Sequence, residues 1–145
     1  MAVELNDKQK LLLGEWKLES SENFDNYMKE IGIGLLKRKA GAVTKPNLKL
    51  SFDGTEWKVQ VISTFKNDEW HFKLNEKARH HTIDGREFYI VAELTDDGKM
   101  IERQSNVEGD NSVTSVITRW VDEQGRLVAH MKANNVEAYR YYVRA

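Results

Sequence analysis

Arg140-Tyr141-Tyr142 sets a guanidinium and a phenol two positions apart in an alternating, strand-like run, so Arg140 and Tyr142 project to one face of a sheet. A second cation, Arg119, interrupts the β-rich run Ser115-Val116-Ile117-Thr118-Arg119-Trp120-Val121, and the same alternation gives it the face of Ile117 and Val121. A solvated arginine would keep polar company at that parity, whereas the company of Arg119 is apolar. Both faces therefore read as interior, and a buried guanidinium needs an anion. The planar donor fork beside a tyrosine hydroxyl suits a carboxylate in charge and geometry. The commonplace alternative is that each arginine pairs with a surface Asp or Glu. If the anion is a visitor, the simplest candidate is a lipid acid.

The elements that must hold these groups are strands. Valine, isoleucine, threonine and aromatics recur with period two: Leu48 and Leu50; Trp57, Val59 and Val61; Trp70, Phe72 and Leu74; Phe88, Ile90 and Ala92. Turn chemistry separates the runs at Asp53-Gly54, Lys66-Asn67-Asp68, Asp84-Gly85, Asp96-Asp97-Gly98, Glu108-Gly109-Asp110, Gln124-Gly125 and Asn134-Asn135. The count is about ten strands. Pro46 opens one of them, where its missing N–H is tolerated. Between the first strand, Gly14 to Leu18, and Pro46 the period changes. Ser21 to Phe24 supply capping residues for a helix over 25–31 with Phe24, Tyr27, Met28 and Ile31 on one face. Gly32-Ile33-Gly34 breaks it, and Leu35 to Ala40 form a second helical piece ended by Gly41.

So many strands in 145 residues leave too many edges for an open sheet. The predicted fold is all-β, an up-and-down antiparallel barrel or near-closed clam with two short helices, over a single domain spanning residues 1–145. A barrel of about ten strands is too wide for side chains to fill, so it encloses a cavity. Arg119, Arg140, Tyr142, Gln104, Ser63 and Thr82 would face it among apolar walls, and Trp57, Trp70, Phe72 and Phe88 could wrap an alkyl chain or a polyene.

Composition excludes several classes. The net charge of −1 gives no global attraction to nucleic acid, and the aromatics form no basic stacking platform. Cysteine is absent, which excludes disulfides and thiolate metal sites. No apolar run reaches the length of about 20 residues that a membrane helix needs, and Met1 to Asp7 lack signal-peptide character, so the chain reads as intracellular. His80-His81 does not make a metal site, because neighbours in a strand face opposite ways. A hydrolase built from His80, Asp84 and a serine lacks a nucleophile elbow, so neither enzyme nor cofactor is expected. The stripe of Phe24, Tyr27, Met28 and Ile31 reads as packed on its own domain in preference to inserted in a membrane. Lys29, Lys37, Arg38 and Lys39 form a solvated basic face that could meet an anionic membrane.

The stretch from Gly14-Glu15-Trp16-Lys17-Leu18 through Phe24-Asp25-Asn26-Tyr27-Met28 to Ile31-Gly32 closely resembles the opening of the intracellular fatty-acid-binding protein family, within the calycin superfamily. Lys45-Pro46-Asn47, Ser63-Thr64-Phe65-Lys66-Asn67, Asp84-Gly85-Arg86 and Arg140-Tyr141-Tyr142 follow in family order. The resemblance implies a ten-stranded barrel (β-clam) capped by a helix-turn-helix, and a monomeric, non-enzymatic cytoplasmic carrier of long-chain fatty acids. By position it assigns the carboxylate to Arg119, Arg140 and Tyr142 and the portal to Ile33 and Phe65. Gln104 corresponds to a polar cavity residue and Arg86 to an inward arginine. In some relatives, basic residues matching Lys29, Arg38 and Lys39 form a nuclear-import patch, which raises a lipid chaperone serving nuclear receptors. Relatives that carry retinoic acid have a similar Arg and Arg-x-Tyr arrangement. The chain departs from the family pattern in an N-terminal extension within residues 1–10, Glu15, a longer stretch from Ser105 to Ser112, and Val107 where tryptophan is common.

Overall fold

The structure, a computed structural model, describes residues 4–64, 67–82 and 85–145. Among them are three short helices, α1 (Asp7–Lys10), α2 (Phe24–Glu30) and α3 (Leu35–Val43). The strands are β1 (Gly14–Glu22), β2 (Asn47–Phe52), β3 (Trp57–Ile62), β4 (Asp68–Phe72), β5 (Ala78–His81), β6 (Glu87–Leu94), β7 (Met100–Asn106), β8 (Val116–Val121), β9 (Leu127–Ala133) and β10 (Val136–Arg144). They form one antiparallel ten-stranded sheet in the order β4-β3-β2-β1-β10-β9-β8-β7-β6-β5.

That order is a meander closed through its ends, because the first strand pairs with the last. Trp16 sits opposite Arg144 and Glu22 opposite Tyr139, with a register shift between Leu18 and Ser20 that bends β1. β1 pairs with β2 over Gly14 to Lys17 and with β10 over Trp16 to Glu22. The two strands left at the ends, β4 and β5, are neighbours in the chain, yet no ladder joins them among the described residues. The barrel is therefore nearly closed, with one seam.

Alternation fills the interior as the period-two pattern predicts. One core cluster gathers Leu12, Trp16, Leu50, Trp57, Val59, Ala92, Met100 and Leu127. Fully burying an aliphatic side chain of this kind contributes about 1.5–3 kcal/mol. A second cluster joins Tyr27, Met28 and Ile31 of the helical region to Met131, Ala133 and Ala138 of β9 and β10. The stripe on α2 is thus packed on its own fold.

Three local expectations need correction. The second helix does not end at Gly41 but runs on to Val43. A Cβ at Gly41 would lie 3.1 Å from Met28 Sδ, so glycine serves the close crossing of α2 and α3. Asn23 precedes α2 in a left-handed conformation (φ 59°) and does not cap it; its Nδ2 donates to the Glu137 carbonyl at 2.8 Å. The N-terminal extension carries α1, which no periodicity announced. A capping box between Asn6 and Gln9 closes it, and the same two side chains donate to the carbonyls of Asp96 and Thr95. Gly98 permits this docking, since with φ +91° a Cβ there would come within 2.9 Å of the Lys8 carbonyl oxygen.

Candidate ligand-binding site

The register sets the two arginines at one level of the wall. Arg119 of β8 and Arg140 of β10 both lie opposite Ala129 of β9, one on each side. Two strand spacings separate their backbones by about 10 Å. The small side chain between them leaves room for a guest. Tyr142 follows Arg140 on the same face and is buried. All three residues line an interior cavity of about 430 Å³, together with Phe24, Tyr27, Met28 and Ile33 from the helical region and Val61, Ile90, Ile117 and Met131 from the strands. Ser63, Thr82, Arg86 and Gln104 also line it. Phe65 lies outside the described residues, as does Asp84.

The two cations differ in electrostatic state. Arg119, 6% exposed, donates from Nη1 to Glu102 Oε1 at 2.9 Å, and Glu102 is itself 3% exposed. Its anion is supplied from within. Its Nε is buried with no hydrogen-bond partner. Arg140 has no carboxylate partner among the described residues. Its Nε donates to Ser21 Oγ at 3.2 Å, and its guanidinium lies 4.0 Å from the Phe24 ring centroid. Burial lowers its pKa from the ordinary arginine value, against a smaller opposing effect from Tyr142. Arg140 is a desolvated cation facing an apolar cavity, which is the state an anionic guest relieves.

Glu102 was missed in the sequence although Gln104, at the same parity on β7, was read as inward. A further polar group enters the cavity at the seam. His80 Nε2 on β5 lies 3.3 Å from Asp68 Oδ2 on β4, and the His80 ring tilts against Trp70 at 4.7 Å. His81 turns outward to Glu87. Burial pushes the His80 pKa down, against the opposing effect of the nearby carboxylates of Asp68 and Glu102. The pair spans the unladdered edge. No group of three or more potential metal ligands occurs among the described residues.

Of the four aromatics expected to wrap a chain, only Trp70 lines the cavity. Trp57 and Phe72 point inward but belong to the packed core, and Phe88 is covered by the Arg86 guanidinium at 4.8 Å. Period two decides the face of a strand, while depth along the barrel decides whether a side chain meets cavity or core.

The lid holds the remaining candidates. The Tyr27 hydroxyl donates to Ser115 Oγ at 2.6 Å, pinning α2 to the loop that leads into β8. Lys29, Lys37 and Lys39 are exposed. Arg38 is instead held between the helices, donating to Asp25 Oδ1 at 3.2 Å and the Ile33 carbonyl at 2.8 Å. Beside the lysines, Leu36 and Val43 are 84% and 82% exposed.

A model of the lipocalin / cytosolic fatty-acid binding protein family matches residues 13–142. Fatty acid-binding protein 5 of Pygoscelis papua is 41% identical over 133 residues, covering 92% of this chain and 96% of the relative. The crystal structure of apo lipid binding protein 8 from Caenorhabditis elegans superposes with a TM-score of 0.88 at 36% identity, covering 99% of this chain and all of that one. A Schistosoma mansoni fatty acid binding protein in complex with arachidonic acid gives 0.87 at 32% identity, over 95% and 98% of the two chains. The family-model match begins at residue 13, after α1, whereas the superposition on the Caenorhabditis elegans structure spans nearly the whole chain. With a nearly closed ten-stranded barrel, a helical lid and an inward Arg-x-Tyr, this chain belongs to the lipocalin / cytosolic fatty-acid binding protein family.

Proposed function

We propose that the protein carries one long-chain fatty acid, or a closely related lipid acid, in the barrel cavity as a cytoplasmic monomer. The carboxylate binds Arg140 and Tyr142 and reaches toward Arg119. The observation that carries this reading is the desolvated, carboxylate-free Arg140 facing a cavity of about 430 Å³ with largely apolar walls. Each methylene buried contributes about 0.8 kcal/mol, so the chain supplies most of the affinity and the arginine sets head-group orientation. The complex of a relative with arachidonic acid is consistent with such a guest. Titration with oleate and oleyl alcohol tests it: oleate binds one to one and more tightly than the alcohol. Equal affinity would remove the head-group role, and failure of both to bind would end the carrier reading.

Delivery is proposed to run through the lid. Exposed Leu36 and Val43 beside Lys29, Lys37 and Lys39 offer apolar and cationic contacts to an anionic membrane, at about 1 kcal/mol per basic residue near the surface. Arg38 contributes to lid structure, which weakens the import-patch reading by one cation, and Lys37 also lines the cavity, which leaves Lys29 and Lys39 as the residues to change. Replacing Lys29 and Lys39 with Ser leaves oleate affinity unchanged and slows transfer to anionic vesicles by roughly tenfold, with little effect on neutral vesicles. If nuclear receptors are the recipients, the same variant loses ligand-dependent nuclear accumulation. Wild-type rates and wild-type nuclear fraction would reduce the cluster to a solvated face.

A further inference from the structure

The cavity contains a second polar region on the wall opposite Arg140. In the sheet order, β10 is separated from the seam strands by several strands in either direction, so Asp68 and His80 face it across the interior. The seam groups are linked to one another. Asp68 meets His80 at 3.3 Å, His80 packs on Trp70, Trp70 Nε1 donates to Glu102 Oε1 at 3.3 Å, and Arg119 donates to the same oxygen. The chain of contacts passes from β5 to β4, across to β7 and on to β8, and all five side chains line the cavity.

This region is poorly matched to a plain alkyl chain. Methylenes laid against Asp68, His80 and Glu102 would displace water from carboxylates without replacing its hydrogen bonds, which costs free energy for every group left unmet. The network is already one partner short, because Arg119 Nε is buried without an acceptor. Nor does a second anion fit. Asp68 lies 3.3 Å from His80, and the carboxylates of Asp68 and Glu102 both act on the ring. Of the other lining cations, Arg140 belongs to the opposite wall, Lys37 to the lid helix α3, and Arg86 lies close enough to Asp110, in the connection between β7 and β8, to act on its carboxyl. A suitable group is neutral, donates to a carboxylate and accepts in return. A hydroxyl meets all three conditions.

Resting on the fatty-acid reading above, we infer that the preferred guest is a hydroxylated fatty acid, its carboxylate at Arg140 and Tyr142 and its chain hydroxyl at the seam network of Asp68, His80 and Glu102. The hydroxyl donates to Asp68 or Glu102 and accepts from Arg119, so selection falls on the position of oxygen along the chain. Plain acids bind by the same head group with the seam left hydrated.

The test compares stearate with mid-chain hydroxystearates and ω-hydroxystearate by calorimetric titration of the intact protein. At least one hydroxystearate binds about tenfold or more tightly than stearate, the gain typical of a hydrogen bond to a charged group. Replacing both seam residues, Asp68→Leu with His80→Leu, brings that ratio close to one. Asp68→Asn, which retains shape and a hydrogen-bonding amide, lowers the ratio several-fold and serves if the double variant does not fold. Stearate binding that depends on Arg140 with no preference among the hydroxystearates would overturn the inference and leave the fatty-acid reading intact. A preference that survives both seam variants would overturn it equally. Absence of binding by every acid would overturn both readings together.

Discussion

Arg140→Gln weakens oleate binding by about 1.5–3 kcal/mol, roughly ten- to a hundredfold, while affinity for oleyl alcohol barely changes. The effect is this large because Arg140 has no carboxylate partner of its own among the described residues, so the guest supplies its first one. The apo variant is no less stable than wild type. Burial already penalises the charged form of Arg140, and the guanidinium stays charged across the neutral range in both folded and unfolded chains, so its removal lifts a constant penalty. Loss of the stacking on Phe24 at 4.0 Å offsets part of that gain. Repulsion between Arg119 and Arg140 contributes little, because Glu102 neutralises Arg119. Isothermal titration and urea unfolding of the two proteins check both halves, and an unchanged oleate affinity in a folded variant would reject Arg140 as the carboxylate site.

The parts of this site that were legible in the sequence are those fixed by period two. Arg119 among Ile117 and Val121, and Arg140 with Tyr142, could be assigned to the interior by counting, and the strands carry them there. The same counting would have turned Glu102 inward beside Met100 and Gln104, and Asp68 inward beside Trp70 and Phe72. They escaped notice because an acidic residue in a strand is ordinarily solvated, and a buried one needs a partner placed within reach, here Arg119 for Glu102 and His80 for Asp68. That placement depends on register between β7 and β8 and on the curvature that brings β4 across to β7, which local pattern does not encode. The seam itself was illegible for a related reason. Asp68 to Phe72 and Ala78 to His81 look like an ordinary hairpin, and nothing in their alternation says that the ladder between them is missing. The N-terminal helix shows a third kind of silence: four residues are too few for a period, and its docking on Thr95 and Asp96 is a tertiary event.

Glu102→Ala lowers apo stability by about 3 kcal/mol, toward the lower end of the cost of breaking a buried ion pair because water in the cavity can reach part of the exposed guanidinium. For a chain of this size the melting temperature falls by roughly 10 °C. Two donors lose their acceptor at once, Arg119 Nη1 and Trp70 Nε1, and Arg119 Nε has none to begin with. Saturating oleate restores more stability to this variant than to wild type, since the fatty-acid carboxylate now meets two cations at the level of Ala129 where one was formerly neutralised. The double variant Glu102→Ala with Arg119→Met recovers much of the apo loss, as expected when both members of a buried pair give way to apolar groups. Thermal unfolding of the three proteins with and without oleate separates these contributions. A Glu102→Ala protein as stable as wild type would show that the pair does not hold the wall, and a double variant weaker than the single one would show that Arg119 has a stabilising partner other than Glu102.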